Sequence, residues 1–192
     1  MKYKETIAIV NDPDVTLGSL ENNNIKSLNA WELKWEEMTN SYDYIILGGH
    51  MGAYDADKHE YLLSENKWLS KSVDNGTKIL GICLGFQQFL FCEGAKIVEQ
   101  KKIYHGFQSN IKVITNKSLF KKGKIFKVGR YHSLKLKEPF KSNNFEITMR
   151  CLNSKVAMAF ENQKEKIYGF QFHPESFLTI NGNLLIKKIL SA

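Results

Sequence analysis

Lys78-Ile79-Leu80-Gly81-Ile82-Cys83-Leu84-Gly85-Phe86-Gln87-Gln88 is the stretch that decides the fold of this chain. An apolar, β-prone run stops at a cysteine flanked by glycines, and a helix-prone run starts directly after it. This is the sequence form of a nucleophile elbow, a tight strand-to-helix turn with glycines where a side chain would collide with neighbouring backbone. The turn lifts the sulfur clear of a sheet and sets it at a helix N-terminus, where partial positive charge favours an anionic sulfur. A buried structural cysteine between two glycines has the same local form, since free cysteine is among the most buried residue types.

Working outward, the next informative segment is Tyr168-Gly169-Phe170-Gln171-Phe172-His173-Pro174-Glu175-Ser176. Alternating aromatics predict a strand, and Pro174 must end its regular ladder. His173 therefore emerges at a strand end, with Glu175 near enough to orient an imidazole. A thiol nucleophile needs a base to take its proton and return it to a leaving amine, and that base needs a partner to hold its tautomer. Cys83, His173 and Glu175 fill those roles if the fold joins the two strand ends. Taken alone, His173 also fits a hydrogen-bonded turn histidine.

The motifs Gly81-Ile82-Cys83-Leu84-Gly85-Phe86-Gln87 and Phe172-His173-Pro174-Glu175-Ser176 resemble the two signatures of class I, triad-type glutamine amidotransferases. The resemblance runs over nearly the whole chain. Gly129-Arg130-Tyr131-His132-Ser133-Leu134, His105-Gly106 and the stretch from His173 to Leu185 are similar to the amidotransferase component (component II) of anthranilate synthase and aminodeoxychorismate synthase. Leu47-Gly48-Gly49-His50-Met51-Gly52-Ala53-Tyr54-Asp55 departs from that subfamily and looks more like free-standing GMP-synthase-like amidotransferases. The first strand also lacks the subfamily's aspartate-serine-phenylalanine-threonine start.

The resemblance implies hydrolysis of glutamine to glutamate and ammonia by Cys83, His173 and Glu175 without a cofactor or metal. The ammonia would pass to a synthase partner that uses chorismate. Elbow geometry offers the Leu84 amide as one oxyanion donor. The family pattern puts the second at Gly49, with Gly52 as the alternative. The resemblance also implies that Gln87 contacts substrate, and that the Ser133–Leu134 backbone holds the α-amino and α-carboxylate groups of glutamine. Phe86 stands where relatives carry His or Met. Two other functions are open: a free-standing hydrolase of another γ-glutamyl compound, and a non-catalytic regulatory subunit.

Composition narrows the field. At 192 residues and 43% hydrophobic content, one α/β domain is expected. No run approaches the ~20 apolar residues that span a bilayer, and the apolar run after Met1–Glu5 is too short for a signal peptide. Three cysteines at unpaired spacings suit a reducing cytoplasm. The net charge of +7 is nearly all scattered lysine. The cluster Lys121, Lys122, Lys124 and Lys127 lacks the interleaved aromatics of a single-strand binder, so no nucleic-acid partner is expected.

The element pattern predicts strands at 6–10, 32–35, 44–47 and 78–82, a weak helix or loop over 18–30, and helices over 59–73 and 84–92. Strand-like pieces follow near 96–99, 110–115, 124–130, 145–151, 156–161 and 167–172, and a helix closes the chain around 181–191. Strand–helix alternation followed by strands predicts a three-layer, flavodoxin-like, mostly parallel sheet with an antiparallel extension, and ligands at the strand C-termini. His50 and His132 fall near that pocket but have no carboxylate at useful local spacing. His59 is expected on a helix surface and His105 in a partner-facing loop. Cys92 and Cys151 are expected to be buried spectators, and Asp55 and Asp57 loop caps rather than a metal pair.

Overall fold

The computed structural model describes residues 5–15, 17–23, 25–39, 41–72 and 75–192. Expectations touching Met1–Lys4, Asn24 and Val73 lie outside these residues. The first half comprises β1 (Thr6–Val10), β2 (Lys26–Asn29), β3 (Asp43–Ile46), α1 (Glu60–Ser72), β4 (Ile79–Ile82) and α2 (Leu84–Cys92). The second half comprises β5 (Ile97–Glu99), β6 (Phe107–Val113), β7 (Ile125–Arg130), β8 (Leu134–Leu136), β9 (Glu146–Cys151), β10 (Ala157–Asn162), β11 (Ile167–Phe170) and α3 (Gly182–Leu190).

The main sheet has the order β2-β1-β3-β4-β11-β10-β9-β6-β7. Its first five strands are mutually parallel and the remaining pairings antiparallel, while β5 and β8 form a separate antiparallel ribbon. Parallel strands are covered on both faces, which is why β3 and β4 are buried throughout and are mostly apolar, with Asp43 at the start of β3 the exception. One core packs Leu185, Ile186 and Ile189 of α3 against Ile45, Leu80, Ile82 and Phe170. The other packs α1 and α2 against Ile46, Ile79 and Phe160. Phe86 of α2 stacks on Phe160 at 5.3 Å, and Phe145 lies 4.5 Å from the same ring. Full burial of each such side chain contributes about 1.5–3 kcal/mol.

Two expectations are corrected. Residues 32–35 form no strand; Ala30–Glu32 and Trp35–Glu37 are short 3-10 turns, and Trp35 packs its indole against Trp68 at 5.4 Å. The edge strand lies instead at Lys26–Asn29, inside the stretch expected to be helix or loop. Its polar, half-exposed sequence has no alternation to reveal it, and the ladder to β1 imposes the extended form. β8 was likewise not expected, because only pairing with β5 makes those three residues a strand. Among the described residues no helix is long and apolar enough to cross a membrane.

Candidate active site

β4 and β11 are parallel neighbours with Ile82 opposite Phe170, so the chain leaves both strands at the same end of the sheet. The Cys83 amide donates to the Phe170 carbonyl at 2.7 Å, tying the elbow to the strand that leads to His173. Cys83 has φ 53°, ψ −93°, a positive-φ conformation unusual for a non-glycine residue. The flanking glycines permit the turn. A β-carbon at Gly81 would stand 2.6 Å from the Gly85 carbonyl carbon, and one at Gly85 would stand 2.9 Å from the Ile46 oxygen.

His173 is gripped on three sides. Its amide donates to the Gly129 carbonyl at 3.1 Å, and its carbonyl accepts from the Thr179 hydroxyl at 2.5 Å. Nδ1 donates to Glu175 Oε1 at 2.6 Å. The ring packs edge-on to Tyr131, with centroids 5.1 Å apart. Nε2 is buried and, among the described residues, meets no group within hydrogen-bond geometry, while the Cys83 thiol faces the ring. A β-carbon at Gly48 would stand 3.0 Å from His173 Cε1 and 3.4 Å from Cys83 Cβ, so both side chains converge on that glycine. Burial alone would depress the imidazole, but the charges on Glu175 and Cys83 outweigh it and hold His173 well above the ordinary histidine value.

Cys83 stands at the junction of two cavities. The smaller, about 160 Å³, is lined by Gly49, Leu84, Gln87 and the Tyr131–Leu134 segment. The larger, about 590 Å³, opens past Asp14, His173, Glu175 and Phe177. Leu84 is the first residue of α2, and Gly49 borders both cavities. Gly52 borders neither, and its amide is already donated to Asp55 Oδ2 at 2.8 Å. Gln87 is buried and donates through Nε2 to Gln171 Oε1 at 3.1 Å.

Several residues that matter to the geometry were not singled out in the sequence. Gln171 Nε2 lies 3.8 Å from Cys83 Sγ; its place two residues before His173 on an alternating strand was the available signal. At Gly18 a β-carbon would stand 2.6 Å from the Glu175 carbonyl oxygen, and the Ser19 amide donates to that oxygen at 3.0 Å. Glu65 is fully buried and accepts from Gln88 at 2.6 Å and Asn11 at 3.3 Å. Burial raises its carboxyl to about 7.

Three sequence expectations need revision. His50 does have a carboxylate: Asp12, distant in sequence, accepts from its Nδ1 at 2.6 Å and its amide at 3.1 Å. Asp12, Asp14 and His50 present ligand atoms within 4.8 Å of one another, although Asp12 is already taken up by His50 and the Asp14 amide. His59 precedes α1 and is half-buried against Tyr61, 5.9 Å between rings, rather than on the helix. Cys92 is only half-buried, whereas Cys151 is buried. Among the described residues no carboxylate bonds to His132; burial first, and then the Arg130 charge, push it down to about 3. His105 borders both cavities, and Asp55 caps its loop through the Gly52 amide and Lys58.

Comparison with known proteins agrees with this architecture. The family model described as glutamine amidotransferase class-I matches residues 18–192. Anthranilate synthase component 2 of Lactococcus lactis is 38% identical over 114 residues, 59% of this chain and 58% of that protein. Anthranilate synthase component 2 of Helicobacter pylori is 40% identical over 111 residues, 57% and 55%. The matched stretches thus span little more than half of these relatives. The crystal structure of a glutamine amidotransferase from Thermotoga maritima superposes with a TM-score of 0.77 at 22% identity, covering 91% of this chain and 77% of that one.

Proposed function

The chain belongs to the class-I glutamine amidotransferase family, and from that premise we propose that it hydrolyses glutamine with Cys83, His173 and Glu175. The Cys83 sulfur attacks the side-chain carboxamide carbon while His173 Nε2 holds the thiol proton. The tetrahedral oxyanion takes hydrogen bonds from the Leu84 and Gly49 amides, each such donor being worth about 10²–10³ in rate. The C–N bond breaks as the imidazolium passes its proton to the departing ammonia. Water, deprotonated by the same imidazole, then opens the γ-glutamyl thioester, giving glutamate and the free thiol. Glu175 keeps the imidazole in the Nδ1–H tautomer and steadies its positive charge.

One observation carries this reading: a buried imidazole held by a carboxylate at 2.6 Å, with its other nitrogen unpartnered beside a cysteine elbow. The glutamine side chain fits the small cavity, with Gln87 in its wall and the Ser133–Leu134 backbone receiving the α-groups. The ammonia acceptor is a chorismate-using synthase subunit, supported by relatives named anthranilate synthase component 2. A glutamine-analogue electrophile should label Cys83, and glutamate should be released when this chain is mixed with a chorismate-using synthase subunit. Absence of glutamate release in that mixture overturns the reading. The larger cavity favours a second reading, a hydrolase whose leaving amine is bulkier than ammonia. Partner-free turnover of γ-glutamyl amides above that of glutamine would establish it.

A further inference from the structure

Arg130, at the end of β7, is fully buried, and among the described residues no carboxylate pairs with it. A cation in that position needs a role that offsets its desolvation. Its Cζ lies 3.4 Å from the centroid of Tyr104, Nη2 donates to Gln100 Oε1 at 3.4 Å, and Nη1 approaches Cys151 Sγ at 3.6 Å. The remaining donor, Nε, points at His132 Nε2 at 2.9 Å.

This last contact determines where the histidine proton sits. A guanidinium only donates, so His132 Nε2 must accept, and the neutral ring carries its proton on Nδ1. Nδ1 lies 2.7 Å from the Leu134 carbonyl, to which it donates, and 3.1 Å from Gln100 Nε2, whose shorter bond goes to the His132 carbonyl. The ring stacks on Tyr104 with planes 22° apart, which fixes its tilt. The two neighbouring carbonyls are held as well. That of His132 accepts from Gln100 Nε2 at 2.6 Å and the Tyr104 amide at 3.2 Å, and that of Ser133 accepts from the Gln100 amide at 2.9 Å. Three consecutive carbonyls in the wall of the small cavity are therefore pinned from behind. Protonation at Nε2 would set a cation against the guanidinium, and the depressed His132 value means the lock holds across the working pH range.

We propose that Arg130 is a positioning residue for glutamine recognition: by holding His132 in one tautomer, it fixes the Ser133–Leu134 backbone that receives the substrate's α-amino and α-carboxylate groups. The inference rests on the glutaminase reading above. A group that shapes ground-state and transition-state binding alike changes KM and leaves kcat. Arg130→Lys keeps the charge but loses the fork, and should raise KM for glutamine about 10- to 100-fold with kcat within about threefold. His132→Leu should do the same. His132→Asn, whose amide nitrogen stands where Nδ1 does, should restore most of the loss, a rescue that a purely structural role would not produce.

The decisive assay compares two alkylations of Cys83 in each folded variant, by iodoacetamide, which lacks α-groups, and by a glutamine-analogue electrophile. The expected result is an unchanged iodoacetamide rate and an analogue rate lowered about 10- to 100-fold. Variants with wild-type KM, or with both reagents slowed equally, overturn the proposal and leave the glutaminase reading standing. A wild-type chain alkylated by iodoacetamide but inert to the analogue overturns both. Should Arg130→Lys fail to fold, the two His132 variants decide the matter.

Discussion

The cleft has two walls built by different means. The parallel half of the sheet contributes the elbow, the glycine loop and α2, and it is held by close approach of backbone, as at Gly81 and Gly85. The antiparallel half contributes Arg130 to Leu134, and its carbonyls are held by the backbone amides of Gln100 and Tyr104, by the Gln100 side chain and by the His132 ring, which itself accepts from Arg130. On the first wall one added methyl group meets backbone within 3 Å, which must shift to admit it. On the second, substitutions grade smoothly, because each removes one bond of several. On the reading proposed above, the chemistry sits on the first wall and the α-groups of glutamine are received on the second.

The sharpest way to separate them is Cys83→Ala, which should lower kcat for glutamine hydrolysis about 10⁴- to 10⁶-fold while leaving thermal unfolding and glutamine binding near wild type. Steady-state glutamate release and calorimetric binding measure the two halves of that statement. Glu175→Gln comes next, with about a 10²- to 10⁴-fold loss of kcat, because a neutral amide no longer steadies the imidazolium and its NH2 group, when turned to Nδ1, holds the wrong tautomer. Loss confined to KM would move Glu175 to the recognition wall.

Glu65, beneath the first wall, sharpens the comparison through pH. Its carboxyl is more easily protonated in the folded chain than in the unfolded one, from 4.5 up to about 7. Stability from this group is therefore full below about pH 4.5 and lost as pH rises to about 7, a loss of about 3 kcal/mol. Denaturant titrations at several pH values should show that slope in the wild type and a flatter one in Glu65→Gln. The smallest effect belongs to Gly85→Ala, about 1–3 kcal/mol of destabilisation from contact with Ile46, read from the unfolding midpoint. A neutral result would mean that α2 can slide and that the first wall is less rigid than its packing indicates.

The two walls also differed in how far the sequence revealed them. The elbow was legible because its constraints are local: a strand-type run, two glycines and a cysteine state the turn almost completely. His173 and Glu175 were legible as a pair because only Pro174 separates them. The strand order followed from alternation of elements, but the edge strand at Lys26–Asn29 did not, since its polar residues are extended only by pairing with β1. No local spacing reveals the acid beside His50, because Asp12 is brought to it by the fold. Gln100 and Tyr104 were invisible for the same reason, joined to Ser133 and His132 only through tertiary hydrogen bonds.

The outer rim of β7 has a further consequence. The segment after β11 lies along it: the Ile180 amide donates to the Lys127 carbonyl at 3.0 Å, the Thr179 hydroxyl accepts from Gly129, and His173 bridges the same residue. An unpaired rim is a template on which another chain can add a strand. The peptide that carries the imidazole thus also covers this rim, and a lesion that frees it is expected to displace His173 and expose a pairing edge in the same event.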